Sequence, residues 1–134
     1  MNQRGFATLE VILIIVVIGI LATVAVPRFT DVTVKANTAK IQSDLTTIDT
    51  AIQIYYMEKG SYPADIDALV TGKYLMDKPK PPTGSAYING ESQTISGAYG
   101  LTTNKDRATC NSKTVDNFTL QKASSSSSTT PSGT

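Results

Sequence analysis

The chain has no histidine and no tryptophan, and only one cysteine, Cys110. Without histidine, imidazole general acid–base chemistry and His-ligated metal sites are excluded. A single cysteine excludes an intramolecular disulfide. Cys110 reads as an inert or half-buried small residue, since only Lys105, Arg107 and Lys113 stand near it in sequence to lower its pKa. There is no Gly-rich phosphate loop, so a nucleotide site is not expected. An excess of one charge is also missing. The 12 Lys+Arg nearly balance the 11 Asp+Glu, which gives no general argument for a nucleic-acid or anionic-surface partner. No paired carboxylates stand in a recognisable catalytic frame, so an enzyme is not expected and neither is a cofactor.

What is present is concentrated at the start. A short polar leader, Met1 to Gly5, carries Arg4 and precedes Phe6. An apolar run then extends to Pro27, broken by one acid, Glu10. From Phe6 to Pro27 a helix rises about 33 Å, enough for a bilayer core of about 30 Å. Within lipid every backbone group has to be satisfied internally, so the run must be helical despite its many Val and Ile residues. A carboxylate in such a span costs roughly 2.5–3.5 kcal/mol on insertion scales and calls for a partner. Arg4 and Arg28 flank the span and orient it only weakly. No Ala-x-Ala site follows, so the segment is not an ordinary secretory signal.

Gly5, Phe6, Glu10 and Pro27 at this spacing resemble the N-terminus of the type IV prepilins and the type II secretion pseudopilins. The resemblance implies cleavage between Gly5 and Phe6 by a membrane prepilin peptidase, with N-methylation of Phe6. It also implies the leader in the cytoplasm and the C-terminal part outside. On this reading Glu10 of one subunit neutralises the Phe6 amine of its neighbour and sets the axial register of a filament. The two competing readings are an uncleaved signal anchor and a Glu10 that caps its own helix, worth about 0.3–1 kcal/mol. Many family members close a C-terminal loop with two cysteines. With Cys110 alone, this chain has to hold that loop by packing.

The rest of the chain reads as one α+β unit behind the span. Residues 6–58 are expected to form a single long helix: 6–29 the transmembrane and assembly part, 30–59 its amphipathic continuation. Val34, Ile41, Leu45, Ile48, Ile52 and Tyr55 recur at helical steps and mark the face toward the core. The other face is expected to pack between neighbouring subunits. Pro27 should kink or loosen the helix. Gly60 and Pro63 end it. A small globular part, 60–122, follows. Asp65 to Val70 reads as a short helix with Ile66, Leu69 and Val70 inward, and Lys78 to Pro82 as an extended connector. Strands are expected at Ser85–Ile88, Thr94–Ser96, Ala98–Thr102 and around Phe118 and Leu120, with Asn89-Gly90 as a turn. These should make one small antiparallel sheet on the helix, with 104–114 a polar loop. Residues 123–134, rich in Ser and Thr, read as a disordered tail.

Other motifs are weaker. Thr8 and Thr23 should bond to carbonyls of their own helix. Lys105, Arg107, Lys113 and Lys122 against Asp106 and Asp116 leave only a mildly basic surface, so DNA is a minor candidate partner. Asn104, Asp106, Asn111, Asp116 and Asn117 do not offer the carboxylates a calcium site needs, and no metal is expected. Asn117-Phe118-Thr119 fits a glycosylation sequon, but Phe118 reads as core; the serines from Ser124 to Ser128 are the better place for surface glycosylation.

The sequence therefore points to a structural subunit of a type IV pilus or similar filament, serving motility, adhesion or DNA uptake. The exposed Ser-rich tail favours that over a secretion pseudopilin, and the tryptophan-containing segment of the major pseudopilins is missing. A non-polymerising, single-pass membrane module that binds DNA is a further alternative. Implied partners are copies of itself, minor pilins or pseudopilins, the prepilin peptidase, an inner-membrane assembly platform and the bilayer. The expected location is the cytoplasmic membrane before assembly and a periplasmic or extracellular filament after it.

Overall fold

The computed structural model describes residues 3–123, with the side chains of residues 25–28 excepted. The order is α1 (Gln3–Lys59), α2 (Ile66–Thr71), β1 (Ser85–Ile88), β2 (Glu91–Thr94), β3 (Gly100–Leu101), β4 (Ala108–Thr109) and a 3-10 turn (Val115–Asn117). The architecture is α+β: a long N-terminal helix followed by small antiparallel sheets. The chain divides into two compact units, Met1–Thr33 and Val34–Thr134. The described residues of the first are helix alone.

In the second unit the core forms on one stripe of α1. Ile41, Leu45, Ile48 and Ile52 are all fully buried and cluster with Ile66, Leu69, Ile88 and Phe118. Val34 and Tyr55, at the ends of the same stripe, are half-buried. Helical spacing brings these residues to one face, and their burial removes apolar surface worth roughly 1.5–3 kcal/mol per large side chain. Thr38 also lies on this stripe, fully buried. Its Oγ1 donates to Val34 O at 2.7 Å and accepts from Tyr87 N–H at 2.8 Å, so its polar atom is matched.

The helix ends as expected. Gly60 takes φ +71° and its N–H donates to Tyr56 O at 2.8 Å, a left-handed C-terminal stop. Tyr62 then stacks on Tyr56 with ring centroids 4.5 Å apart. Asp65 caps α2 by accepting from Ala68 N–H at 2.8 Å, and Ile66 and Leu69 turn into the core.

The strands differ from the sequence reading. β1 pairs with β2 around the Asn89-Gly90 turn in the register Ile88↔Glu91 to Ser85↔Thr94. The strand expected at Thr94–Ser96 therefore lies earlier, because a two-residue turn forces pairing to begin at Glu91. The strand expected over Ala98–Thr102 shortens to Gly100–Leu101 and pairs with Ala108–Thr109, inside the segment expected to be a polar loop. Phe118 and Leu120 do not form a strand. Phe118 makes a single antiparallel bridge to Ile88, and the preceding residues close a 3-10 turn. The result is two two-stranded sheets, not one sheet. The helix also starts three residues earlier than Phe6. The weak point expected at Pro27 concerns a side chain outside the described set, and the tail expected over 123–134 lies, Ala123 excepted, outside the described residues.

Candidate assembly helix and processing site

A chain of apolar residues with no acid or base after Glu10 gives α1 its first functional surface. Every large apolar side chain from Phe6 to Val24 is between 47% and 78% exposed. This is one helix long and apolar enough to cross a membrane. Its hydroxyls cause no penalty there. Thr8 Oγ1 donates to Arg4 O at 3.0 Å and Thr23 Oγ1 to Ile20 O at 2.7 Å, as the sequence reading expects.

Gly5 and Phe6 lie in the first turns of α1, Phe6 78% exposed, and a Cβ at Gly5 would meet no atom within 4 Å. Glu10 is exposed one to two turns further on. Among the described residues no ion pair or side-chain hydrogen bond involves its carboxylate. Within one chain, then, the described residues leave the only acid of the apolar run without a counter-charge.

The second surface runs along α1 opposite the core. Ala36, Ala39, Ser43, Thr46, Thr50, Gln53 and Met57 follow one another at alternating steps of three and four, and all are exposed. None is charged. Thr46 and Thr50 donate their hydroxyls to Gln42 O and Thr46 O, each within 2.8 Å. The face thus presents mostly methyl and methylene groups, together with the Ser43 hydroxyl and the Gln53 amide. An exposed helix face normally carries charge. The sequence reading assigned an outer, intersubunit face to this helix without naming its residues. The signal was available in the spacing of small and hydroxyl residues, but such residues carry no hydrophobic pattern.

Two acids of the helix, Asp44 and Asp49, are half-buried and bond to the segments that carry β3 and β4. Asp44 Oδ2 accepts from Lys40 Nζ at 2.7 Å and from the Tyr99 hydroxyl at 2.6 Å. Asp49 Oδ1 accepts from Ala108 N–H at 2.5 Å, and Arg107 Nε stands 3.6 Å from its Oδ2. Arg107 also pairs with Asp116, and this bond holds the Asp116 carboxyl below the usual carboxylate range. One of the four basic residues noted in the C-terminal half is therefore committed to two acids. Four of the five Asn and Asp residues considered for calcium go separate ways: Asp116 to Arg107, Asp106 to the Thr102 hydroxyl, Asn111 to the backbone of Thr94 and Ser96, Asn117 to Asn89. Cys110 is buried, and burial pushes its thiol up. Phe118 is core, consistent with reading the sequon there as chance.

The chain is similar to the "type II secretion system core protein G" of Pectobacterium carotovorum subsp. carotovorum, with 33% identity over 90 residues, 65% of this chain and 58% of that protein. The protein of the same name from Klebsiella pneumoniae is 33% identical over 102 residues, 64% of this chain and 73% of its own length. A "fimbrial protein EcpC" of Eikenella corrodens is 35% identical over 78 residues, 54% of this chain and 51% of that one. No protein-family model and no solved structure matches. The chain belongs to the type IV pilin and type II secretion pseudopilin family: it is a pilin-like structural subunit and not an enzyme.

Proposed function

We propose that the chain is a membrane-stored filament subunit of a type II secretion pseudopilus, cut after Gly5 and polymerised through α1. The observation that carries polymerisation is the apolar segment Phe6–Val24, exposed on every side around a single acid without a described counter-charge. The relatives named for type II secretion favour the pseudopilus, and so displace the Ser-rich tail as a guide. The fimbrial relative supports a pilus as the second reading.

In this reading the leader stays on the cytoplasmic side and a prepilin peptidase frees the Phe6 amine and methylates it. An α-amino group has an ordinary pKa of about 7.7–8.0 and is mostly cationic at neutral pH. Glu10 of a neighbouring copy supplies its counter-charge in low dielectric, where an unpaired partner is costly. Pro27 is the place where the helix loosens on assembly, since it lacks one backbone N–H. Minor pseudopilins and an inner-membrane platform complete the machine. The product is a filament based in the cytoplasmic membrane.

The first experiment is intact mass and N-terminal sequencing of the protein from its native membrane. A chain beginning at methylated Phe6 supports processing; one beginning at Met1 overturns it. Glu10→Leu should still insert but should not assemble, and normal filaments in that variant would sink the pairing. Deleting the gene then separates the two readings: loss of exported proteins marks a pseudopilus, loss of surface filaments with secretion intact marks a pilus.

A further inference from the structure

A threonine hydroxyl in a helix is met by the carbonyl three or four residues before it. Thr23, Thr33, Thr46, Thr47 and Thr50 of α1 follow this rule, donating to the carbonyls of Ile20, Phe29, Gln42, Ser43 and Thr46 at 2.7–3.0 Å. Thr8 follows it too, with Arg4 O at 3.0 Å. Its case differs in where the acceptors lie. The carbonyls three and four residues before Thr8 belong to Gly5 and Arg4, and both stand ahead of the bond between Gly5 and Phe6.

Cleavage at that bond removes both carbonyls that the helix can offer Thr8. The hydroxyl stays behind, exposed, in a run where Phe6, Leu9, Val11 and Ile12 are apolar and exposed as well. A hydroxyl proton without an acceptor is costly in lipid. Glu10 of the same chain cannot take it, since side chains two positions apart on a helix do not face each other. Thr23, by contrast, keeps Ile20 O in the cut chain. Processing thus changes the hydrogen-bonding state of one residue on the apolar surface.

We infer that cleavage converts Thr8 from a self-satisfied residue into an assembly donor, met by Glu10 of a second copy. The inference rests on the proposed cut after Gly5. Between Phe6 and Val24 the side-chain oxygens are those of Thr8, Glu10 and Thr23. Glu10 lies about 3 Å further along the axis than Thr8, and Thr23 about 22 Å, so a copy alongside at nearly the same depth brings the carboxylate to the hydroxyl. That carboxylate has no ion pair or side-chain hydrogen bond among the described residues. When ionised it offers about four lone-pair sites, enough for a hydroxyl and an amine together. The Thr8 side chain reaches back along the helix toward Arg4, which places its hydroxyl in the same turn as the new Phe6 amine. Before the cut Thr8 offers no proton to a neighbour. After it, hydroxyl and amine become available together.

The test compares the full chain with Thr8→Val, Thr8→Ser and Thr23→Val in its native membrane. Intact mass reports cleavage, and electron microscopy of released filaments reports assembly. Thr8→Val should be cut and methylated normally but should assemble roughly tenfold less, the scale of one interhelical hydrogen bond. Thr8→Ser should restore assembly, and Thr23→Val should leave it unchanged. A cut Thr8→Val chain that assembles like its parent overturns the proposal and leaves the hydroxyl to water at the membrane surface. So does failure of Thr8→Ser alongside Thr8→Val, which would assign the effect to packing. Thr8→Val left uncut also overturns it, by placing Thr8 in recognition of the leader. An unsubstituted chain beginning at Met1 overturns the cleavage reading itself, and the mass alone distinguishes that case.

Discussion

The Tyr99 hydroxyl donates to Asp44 Oδ2 at 2.6 Å, tying the segment before β3 to the middle of α1. Tyr99 is almost fully buried, and burial together with the Asp44 charge pushes its ionisation well above the ordinary value of 10.0. Tyr99→Phe should destabilise the domain by about 1.5–3 kcal/mol, the usual worth of a hydrogen bond to a charged group. Chemical unfolding in micelles, monitored by circular dichroism, measures it.

The same pair sets an alkaline limit. A group whose folded pKa is raised contributes stability in full below its unfolded pKa and loses it as pH rises toward the folded value. For Tyr99 the loss begins above about pH 10. The unfolding midpoint should fall steeply there, and less steeply in Tyr99→Phe. Equal slopes in both proteins would refute the assignment.

Arg107 joins two acids of unequal weight. Asp116 is exposed, so Asp116→Asn should change stability at neutral pH very little. Its lowered pKa has the opposite sign to that of Tyr99: its contribution is present above the ordinary 3.8 and is lost as pH falls through the folded value. Asp49→Ala is different in kind. It strips the partner from the N–H of Ala108, a fully buried residue, and should cost about 1–3 kcal/mol. Thermal melts at pH 7 should rank Asp49→Ala well below Asp116→Asn.

Two glycines with positive φ should respond unequally to alanine. At Gly60, φ +71°, an added Cβ meets nothing within 4 Å, so only the left-handed backbone penalty of about 1–2 kcal/mol applies. At Gly90, φ +81°, it would sit 2.5 Å from Ala123 N. Gly90→Ala should therefore cost more than Gly60→Ala and should detach Ala123, visible as faster exchange of its amide.

Thr38→Val keeps the shape of a buried side chain and removes its hydroxyl. Tyr87 N–H then loses its acceptor, and the loss should be about 1–3 kcal/mol by denaturant titration. A neutral result would mean that the helix and β1 are held by packing alone.

Much of the fold was legible because it rests on period and punctuation. The stripe from Ile41 to Ile52 repeats at helical steps, Gly60 stops the helix, Asp65 starts the next, and Asn89-Gly90 turns the hairpin. What was not legible depends on long-range bonds. Nothing local says that Ala108 will find Asp49, or that the Asn111 amide will bond the backbone of Thr94 and Ser96, and so the sequence around β4 reads as loop. The alternation of Phe118 with Thr119 points to a strand. In the fold the Phe118 carbonyl goes to Gln42 Nε2 at 2.6 Å, a partner 76 residues away. The acid of the apolar run was legible by cost alone, since nothing else there is charged.

The outward face of α1 has a mechanical consequence. Its threonine protons are already given to the helix's own carbonyls, so a helix laid against it meets mostly methyls and lone pairs, with directional bonds on offer only at Ser43 and Gln53. Such a contact resists separation, because water is expelled, but offers little friction to sliding along the axis. An assembly built on it would be sticky and unindexed. Its subunits would need a separate detent to fix their rise, and a lone carboxylate in an apolar helix is the kind of point contact that provides one.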